Sequence, residues 1–362
     1  MGNTRSVDDY QQGPGSEDDR KPVEEDDSQT TLGGEDSPQE AEREIEESHD
    51  EYADEVQITD KQAKDMQERR ENVVDSLKDE GMEIEEDHIY GSVMQGTMTG
   101  PLDEDSDVDV MVVLDADEHG QWAKGENGPR NALNAVKRKL EKKYPNQEVK
   151  VDRSVVAVKF SDFTVEVAPA FRYSNVRNPE NPTDNVTIGG MTVPIQPATA
   201  DDPSNGYAIP DTYGEQSWVG TDPRKAQSMY NAVNENNNGK LQKVAVAAKN
   251  WNEENGKPVD SYHMVMMSYK YFQSNDAPSN ASTQEHMSKF MRKLPQYVNE
   301  ETREPVYHER IDKGMSDKDR RKAAKKAYKA SEKIEEAERL KKQGKTEEAK
   351  EKYREVYGDK FK

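Results

Sequence analysis

Two aspartates two residues apart, Asp107 and Asp109, open the stretch Asp107-Val108-Asp109-Val110-Met111-Val112-Val113-Leu114. The run reads as a strand, and strand side chains alternate, so both carboxylates lie on one face with Met111 while Val108, Val110 and Val112 lie on the other. Two anions aimed at one volume repel unless a cation sits between them, and a hard divalent ion takes carboxylate oxygens well. Upstream, Gly91-Ser92 offers close backbone approach and a hydroxyl, which suits a phosphate. A third acid, Glu166, interrupts the otherwise apolar run Phe163-Thr164-Val165-Glu166-Val167; an acid buried there without a partner is costly. Taken with Asp107 and Asp109, it suggests a site for two divalent ions, which activate an attacking hydroxyl and stabilise the leaving oxygen of an in-line displacement. The competing reading is an edge strand with both aspartates in solvent.

These groups need a sheet beneath them. Thr59 and Gln62 have the spacing of a capping box, and Ala63, Met66, Val73 and Leu77 continue at helical intervals to about Lys78. Ile84 to Tyr90 leads into the Gly-Ser loop. After the acidic strand, Asp117 to Gly128 reads as a loop. Asn131 to Lys143 is an amphipathic helix on Leu133, Val136 and Leu140, and short strands follow at 149–151, 155–160 and 163–167. This order predicts a mixed sheet with helices on one face. Residues 172–222 show no clear period. Later helices are expected around Met229 and Val233, from Leu241 to Trp251, from Ser261 to Phe272 and from Met287 to Leu294. The Met-rich stretch after Tyr262 reads as core filling. A helical hairpin broken at Gly344 follows, with Ala327, Ala330, Ile334 and Ala337 as its stripe.

Composition sets bounds. With 31% hydrophobic and 35% charged residues in 362, the chain has room for about two domains and a large solvated portion. The absence of cysteine excludes disulfides, thiolate zinc sites and a cysteine nucleophile. No run approaches the roughly 18 apolar residues of a membrane span, and no leader begins the chain, so a cytoplasmic protein is expected. The net charge of −23 is uneven: residues 1–55 hold 20 acidic against 4 basic side chains, whereas residues 311–362 hold 12 against 18. The first segment cannot bury enough apolar surface to order itself. Met1-Gly2 with Ser6 formally fits a myristoylation start, a loose pattern that an ordinary disordered start explains better. An acidic body suits a high-salt cytoplasm and disfavours a firm grip on duplex nucleic acid. The expected division is a disordered tail at 1–55, a catalytic lobe at 56–172, a long loop region at 173–222 and a helical lobe at 223–362.

The pattern Gly-Ser-x3-Gly-Thr, then Ser-Asp-Val-Asp-Val, then Val-Glu-Val-Ala-Pro-Ala-Phe resembles the nucleotidyltransferases of the DNA polymerase β superfamily. Within it, the chain looks like the cGAS/DncV-like branch (CD-NTase, SMODS type). The further matches are Tyr207-Ala208-Ile209-Pro210-Asp211, Trp218, Thr221-Asp222-Pro223, Lys249-Asn250-Trp251-Asn252 and the ending from Tyr353 to Phe361. The resemblance implies an α+β fold, with a polymerase-β-type lobe on a mixed sheet, a C-terminal helical lobe and the active site in the cleft between them. It implies synthesis of cyclic or linear oligonucleotide second messengers from nucleoside triphosphates, with pyrophosphate release and two Mg²⁺ or Mn²⁺ ions, in antiviral, anti-phage-type signalling. A separate effector protein would read the product, and no stable nucleic acid or membrane partner is implied. Asp107, Asp109 and Glu166 would be the catalytic, metal-binding acids. Gly91 and Ser92 would hold the donor triphosphate at a helix N-terminus, Lys249 would contact its phosphates, and Ser261 would add a contact. Tyr207 is either a base-stacking ring or a core tyrosine, and His263 reads as helix packing. The rivals are an archaeal-type CCA-adding transferase, which predicts an added basic RNA-binding domain, and a catalytically silent nucleotide-binding protein.

Overall fold

The computed structural model describes residues 36–104, 106–123, 127–173, 185–188, 191–194, 206–212, 217–308 and 310–362. The expectations for residues 1–35, Gly2 and Ser6 included, and for much of 174–216 lie outside them.

The capping box at Thr59 forms: the Thr59 side chain accepts from Gln62 N, and the Gln62 side chain accepts from Thr59 N at 2.9 Å. It starts α2 (Asp60–Asp79), which follows α1 (Pro38–Glu55). The sheet-bearing part then runs β1 (Ile84–Ile89), β2 (Asp107–Leu114), a short α3 (Ala116–His119), α4 (Gly128–Lys143), β3 (Glu148–Asp152), β4 (Val155–Lys159) and β5 (Thr164–Arg172). The strands β6 (Asn185–Ile188), β7 (Met191–Pro194), β8 (Tyr207–Asp211) and β9 (Ser217–Thr221) extend the sheet. Its main path is β1-β2-β5-β8-β9-β6-β7, with β4 also on β5 and β3 on β4. Among the described residues only β2/β5 and β6/β9 pair in parallel, so the sheet is mixed as expected. Val108, Val110 and Val112 face α2 and α4 and share one core with Leu133, Val136, Leu140, Val165 and Val167. The opposite face holds the acids.

A second core is entirely helical. It gathers α5 (Pro223–Asn236), α6 (Lys240–Glu254), α7 (Ser261–Phe272), α8 (Thr283–Tyr297), α9 (Asp317–Lys341) and α10 (Thr346–Tyr357). Met264, Met266 and Met267 fill it, and the stripe Ala327, Ala330, Ile334 and Ala337 is buried in it rather than presented to a ligand.

Two expectations are corrected. Residues 36–55 are not part of a disordered tail: α1 forms under a capping box of Ser37 and Glu40 and buries Ile45, Tyr52 and Ala53 in the helical core. The cause is a partner far along the chain. His49 and Tyr52 stack on Tyr353, Tyr357 and Phe361, with centroids 4.4–5.9 Å apart. Composition local to residues 1–55 cannot reveal rings supplied three hundred residues later. Residues 173–222, expected to be loop, instead donate β8 and β9, which pair antiparallel through Tyr207↔Thr221 to Asp211↔Ser217. Strands of five residues carry too few positions to show a period.

Candidate active site

Register brings the three acids together. In the parallel pair β2/β5, Asp109 stands opposite Glu166 and Asp107 opposite Thr164, so all three carboxylates leave the same face of adjacent strands. Asp107 lies at the solvent-facing mouth, and Asp109 and Glu166 lie deeper. Burial pushes the Asp109 carboxyl well above the usual carboxylate range, and Asp107 and Glu166 push it the same way. Burial likewise raises Glu166 to about 7, with Asp107 and Asp152 adding to it. The crowded cleft raises Asp107 too, against the pull of Lys249 and Lys257.

Among the described residues, no three His, Asp or Glu side chains form a ready ligand set. The donor chemistry nevertheless fits a divalent ion: three hard oxygen donors on one face, all held against ionisation first by burial and then by neighbouring carboxylates, form a site short of positive charge. The cradle is tight as well. Gly91 takes φ +68°, and a Cβ there would lie 2.3 Å from Asp109 Oδ2, so only glycine lets the loop pass this carboxylate.

The loop departs from its expected form. Residues 91–96 are a hydrogen-bonded turn rather than a helix N-terminus: Gln95 N donates to Gly91 O at 3.1 Å and Thr97 N to Ser92 O at 2.8 Å. Gly91 and Gly96 both take positive φ, which closes the chain into a turn instead of a helix. The Ser92 hydroxyl meets Met98 Sδ at 3.6 Å, a weak bond that a phosphate oxygen can displace.

Lys249 crosses from α6 to this loop. Its side chain is buried, its Nζ donates to Thr97 O at 2.9 Å, and Asp107 and Asp109 both attract it. Burial lowers its pKa and Glu253 with the two aspartates opposes that. Ser261 sits in the first turn of α7, beside Asp260, whose carboxylate caps that helix and accepts from Tyr262 N at 3.0 Å.

Tyr207 is no stacking platform. It is fully buried against Met111, Val113 and Ala170, its hydroxyl donates to Glu86 Oε1 at 3.1 Å, and the Arg224 guanidinium lies 5.1 Å above its ring. His263 is packing, as expected, with Nε2 3.0 Å from Thr302 Oγ1.

Sequence reasoning missed four neighbours. Asp260 acts electrostatically on Asp107, Asp109 and Glu166, and Lys257 acts on Asp107. Tyr90 is pressed among the three acids, and burial with their charge drives its hydroxyl pKa far up. Arg224 joins Glu86, His88, Arg172 and Tyr207 further along the same sheet face. The one available signal was Asp260, an aspartate just before Ser261-Tyr262.

Residues 44–181 match the model of the Second Messenger Oligonucleotide or Dinucleotide Synthetase domain. Over those residues the chain is similar to that synthetase domain. Its fold is that of the CD-NTases, as three solved structures attest. *Escherichia coli* MS115-1 CdnC, in complex with HORMA-deltaN, is 16% identical, with 89% of this chain and 99% of that one covered and a TM-score of 0.60. *Bradyrhizobium diazoefficiens* CdnG, in complex with GTP, is 12% identical over 86% of this chain and 99% of that one, with a TM-score of 0.58. *Vibrio cholerae* DncV cyclic AMP-GMP synthase, in complex with the linear intermediate 5′ pppA(3′,5′)pG, is 14% identical over 90% and 88%, with a TM-score of 0.55. No curated protein matches the sequence significantly. The matched range begins within α1 and runs past β5, and so includes Gly91, Ser92 and all three acids, while Lys249 reaches the acids from outside it. No described helix is long and apolar enough to cross a membrane.

Proposed function

We propose that this protein joins nucleoside triphosphates into a cyclic or linear oligonucleotide second messenger with release of pyrophosphate, in anti-phage-type signalling through a separate effector. The observation that carries the proposal is the convergence of Asp107, Asp109 and Glu166 on one face beside a glycine that fits only because it lacks a Cβ. Asp107, Asp109 and Glu166 would hold two Mg²⁺ or Mn²⁺ ions. When bound, such ions polarise the phosphoryl oxygens and lower the pKa of an attacking hydroxyl. The Gly91–Gly96 turn and the Ser92 hydroxyl receive the donor triphosphate, and Lys249 exchanges its bond to Thr97 O for a phosphate oxygen. Glu166, poised near neutrality, accepts the proton of the acceptor ribose hydroxyl. Ser261, in the first turn of α7 beside Asp260, adds a phosphate contact. The sheet half serves as the catalytic lobe, and α5–α10 with α1 serve as the helical lobe.

The C-terminal hairpin favours this reading over tRNA end-addition, because it is spent on the helical core. The test is incubation with all four nucleoside triphosphates, Mg²⁺ or Mn²⁺ and a range of salt, read by mass spectrometry for phosphatase-resistant oligonucleotides. Product is expected from the wild type and not from Asp107→Ala/Asp109→Ala. Equal product from the double variant, or extension of tRNA in place of free oligonucleotide, overturns the proposal.

A further inference from the structure

The stretch Gly96–Gly100 connects the candidate phosphate turn to the acidic strand, and much of its anchorage comes from outside the sheet. Gln242 Nε2 donates to Gly96 O and Lys249 Nζ to Thr97 O, each at 2.9 Å. The Thr99 hydroxyl donates to Glu253 Oε1 at 2.8 Å, and Gly100 N donates to Val56 O at 2.8 Å. The approach is close: a Cβ would lie 2.6 Å from Gln242 Nε2 at Gly96, where the backbone also takes φ +64°, and 3.0 Å from Gln57 O at Gly100.

The remaining anchor comes from the segment after α10. Lys360 Nζ donates to Gly100 O and lies 3.5 Å from Asn250 Oδ1. This lysine has a fixed base. Next to it, Phe361 is fully buried among His49, Tyr52, Tyr353 and Tyr357, with centroids 4.7–5.8 Å apart, and its carbonyl accepts from Arg354 Nε at 3.1 Å. Asn250 is tied to the same aromatic cage, donating to the Tyr52 hydroxyl at 2.9 Å and to Tyr357 O at 3.2 Å. With its backbone fixed beside Phe361, the Lys360 ammonium stays within reach of the Gly100 carbonyl, and a hydrogen bond from a charged donor is stronger than one between neutral groups.

We propose that Lys360 is a positioning residue for the donor triphosphate: with Phe361 as its anchor, it fixes Gly100 and thereby the turn that begins at Gly91. It does not touch substrate. The proposal rests on the nucleotidyltransferase reading for its kinetic consequence but not for its structural one, and the experiment separates the two. Lys360→Met keeps the aliphatic stem and removes the donor; Lys360→Arg restores one. In ligand-free protein, amides of peptides covering 91–101 should exchange about tenfold faster in Lys360→Met, the size expected for losing one charged hydrogen bond. Peptides from α4 should be unchanged, and Lys360→Arg should restore protection. With substrates, Lys360→Met should raise the donor KM several-fold with a smaller fall in kcat, and Lys360→Arg should reverse both. Unchanged exchange at 91–101, or faster exchange spread over the whole chain and not rescued by arginine, overturns the role. Faster exchange with an unaltered KM also overturns it as regards the donor. Wild-type protein that makes no oligonucleotide defeats the functional reading, while the exchange result still decides Lys360.

Discussion

Gly91→Ala provides the sharpest test of how the site is built, because Gly81 serves as its control. Both glycines take nearly the same backbone, φ +68° and +72°. Forcing alanine into that left-handed region costs about 1–2 kcal/mol at either position, or a Tm fall of about 2–8 °C for a lobe of this size. The two differ in what a methyl would meet. At Gly81 nothing lies within 4 Å, whereas at Gly91 the new Cβ lies 2.3 Å from Asp109 Oδ2. Relieving that contact to an ordinary 3.4 Å requires a shift of about 1 Å by the carboxylate or the turn, and a misplacement of that size costs on the order of 100-fold in rate. Melting curves and initial rates of oligonucleotide formation should therefore show similar losses of stability in the two variants. The rate should collapse only in Gly91→Ala. If Gly91→Ala retains the activity of Gly81→Ala, the close approach of the turn to Asp109 is not part of the catalytic arrangement.

Replacing Glu166 with Gln should reduce turnover by at least about 100-fold, in line with losing a general base, while raising thermal stability, since a repelling charge leaves the cluster; a melting curve checks the second half. Lys249→Met should weaken binding of a triphosphate more than tenfold, measured by calorimetry with Mg²⁺, as a buried cation at a polyphosphate is lost. The histidine contribution to stability should fall as pH drops from 6.5 towards 4. Burial holds His49 and His286 at about 4 in the folded state, so between those pH values the unfolded chain takes up protons that the folded one refuses, at up to ~3 kcal/mol per group. The raised carboxyls of Asp107, Asp109 and Glu166 act in the opposite direction over the same range, so the histidine term is read as a difference. The Tm of His49→Phe relative to wild type should rise as pH drops from 6.5 to 4; a constant difference would show that this ring does not titrate on unfolding.

The legible parts of the sequence were those carried by short-range patterns. The strand at 107–114 and the helix at 261–272 appear with the boundaries their residues suggest, because alternation and capping are local. The placement of Glu166 beside Asp109 was also readable, since each acid interrupts an apolar run and a sheet offers few ways to pair them. What failed depended on distant partners. Helix α1 reads as solvated acid until Tyr353, Tyr357 and Phe361 are put against it. Of the two readings of Tyr207, the core tyrosine is the one found, and the sequence could not decide between them because Glu86 and Arg224, which meet its hydroxyl and ring, lie far away along the chain. Asp260 escaped notice because a helix cap and a site carboxylate look alike in one dimension, and here it serves as cap while facing the acids.

The dependence of α1 on α10 has a cost in time. The hydroxyl of Tyr52 donates to the carbonyl of Tyr357, 305 positions later. At roughly 5–20 residues per second of synthesis, α1 waits about 15–60 s after it is made before its partner exists. Until α6 and α8 are made, Ile45, Tyr52 and Ala53 have no core to enter, and until α10 follows their aromatic partners are missing; the dense glutamates around them keep the waiting helix in solution. A change that trades the exposed, unpaired acids among them for apolar residues would endanger the protein still being made more than the finished one.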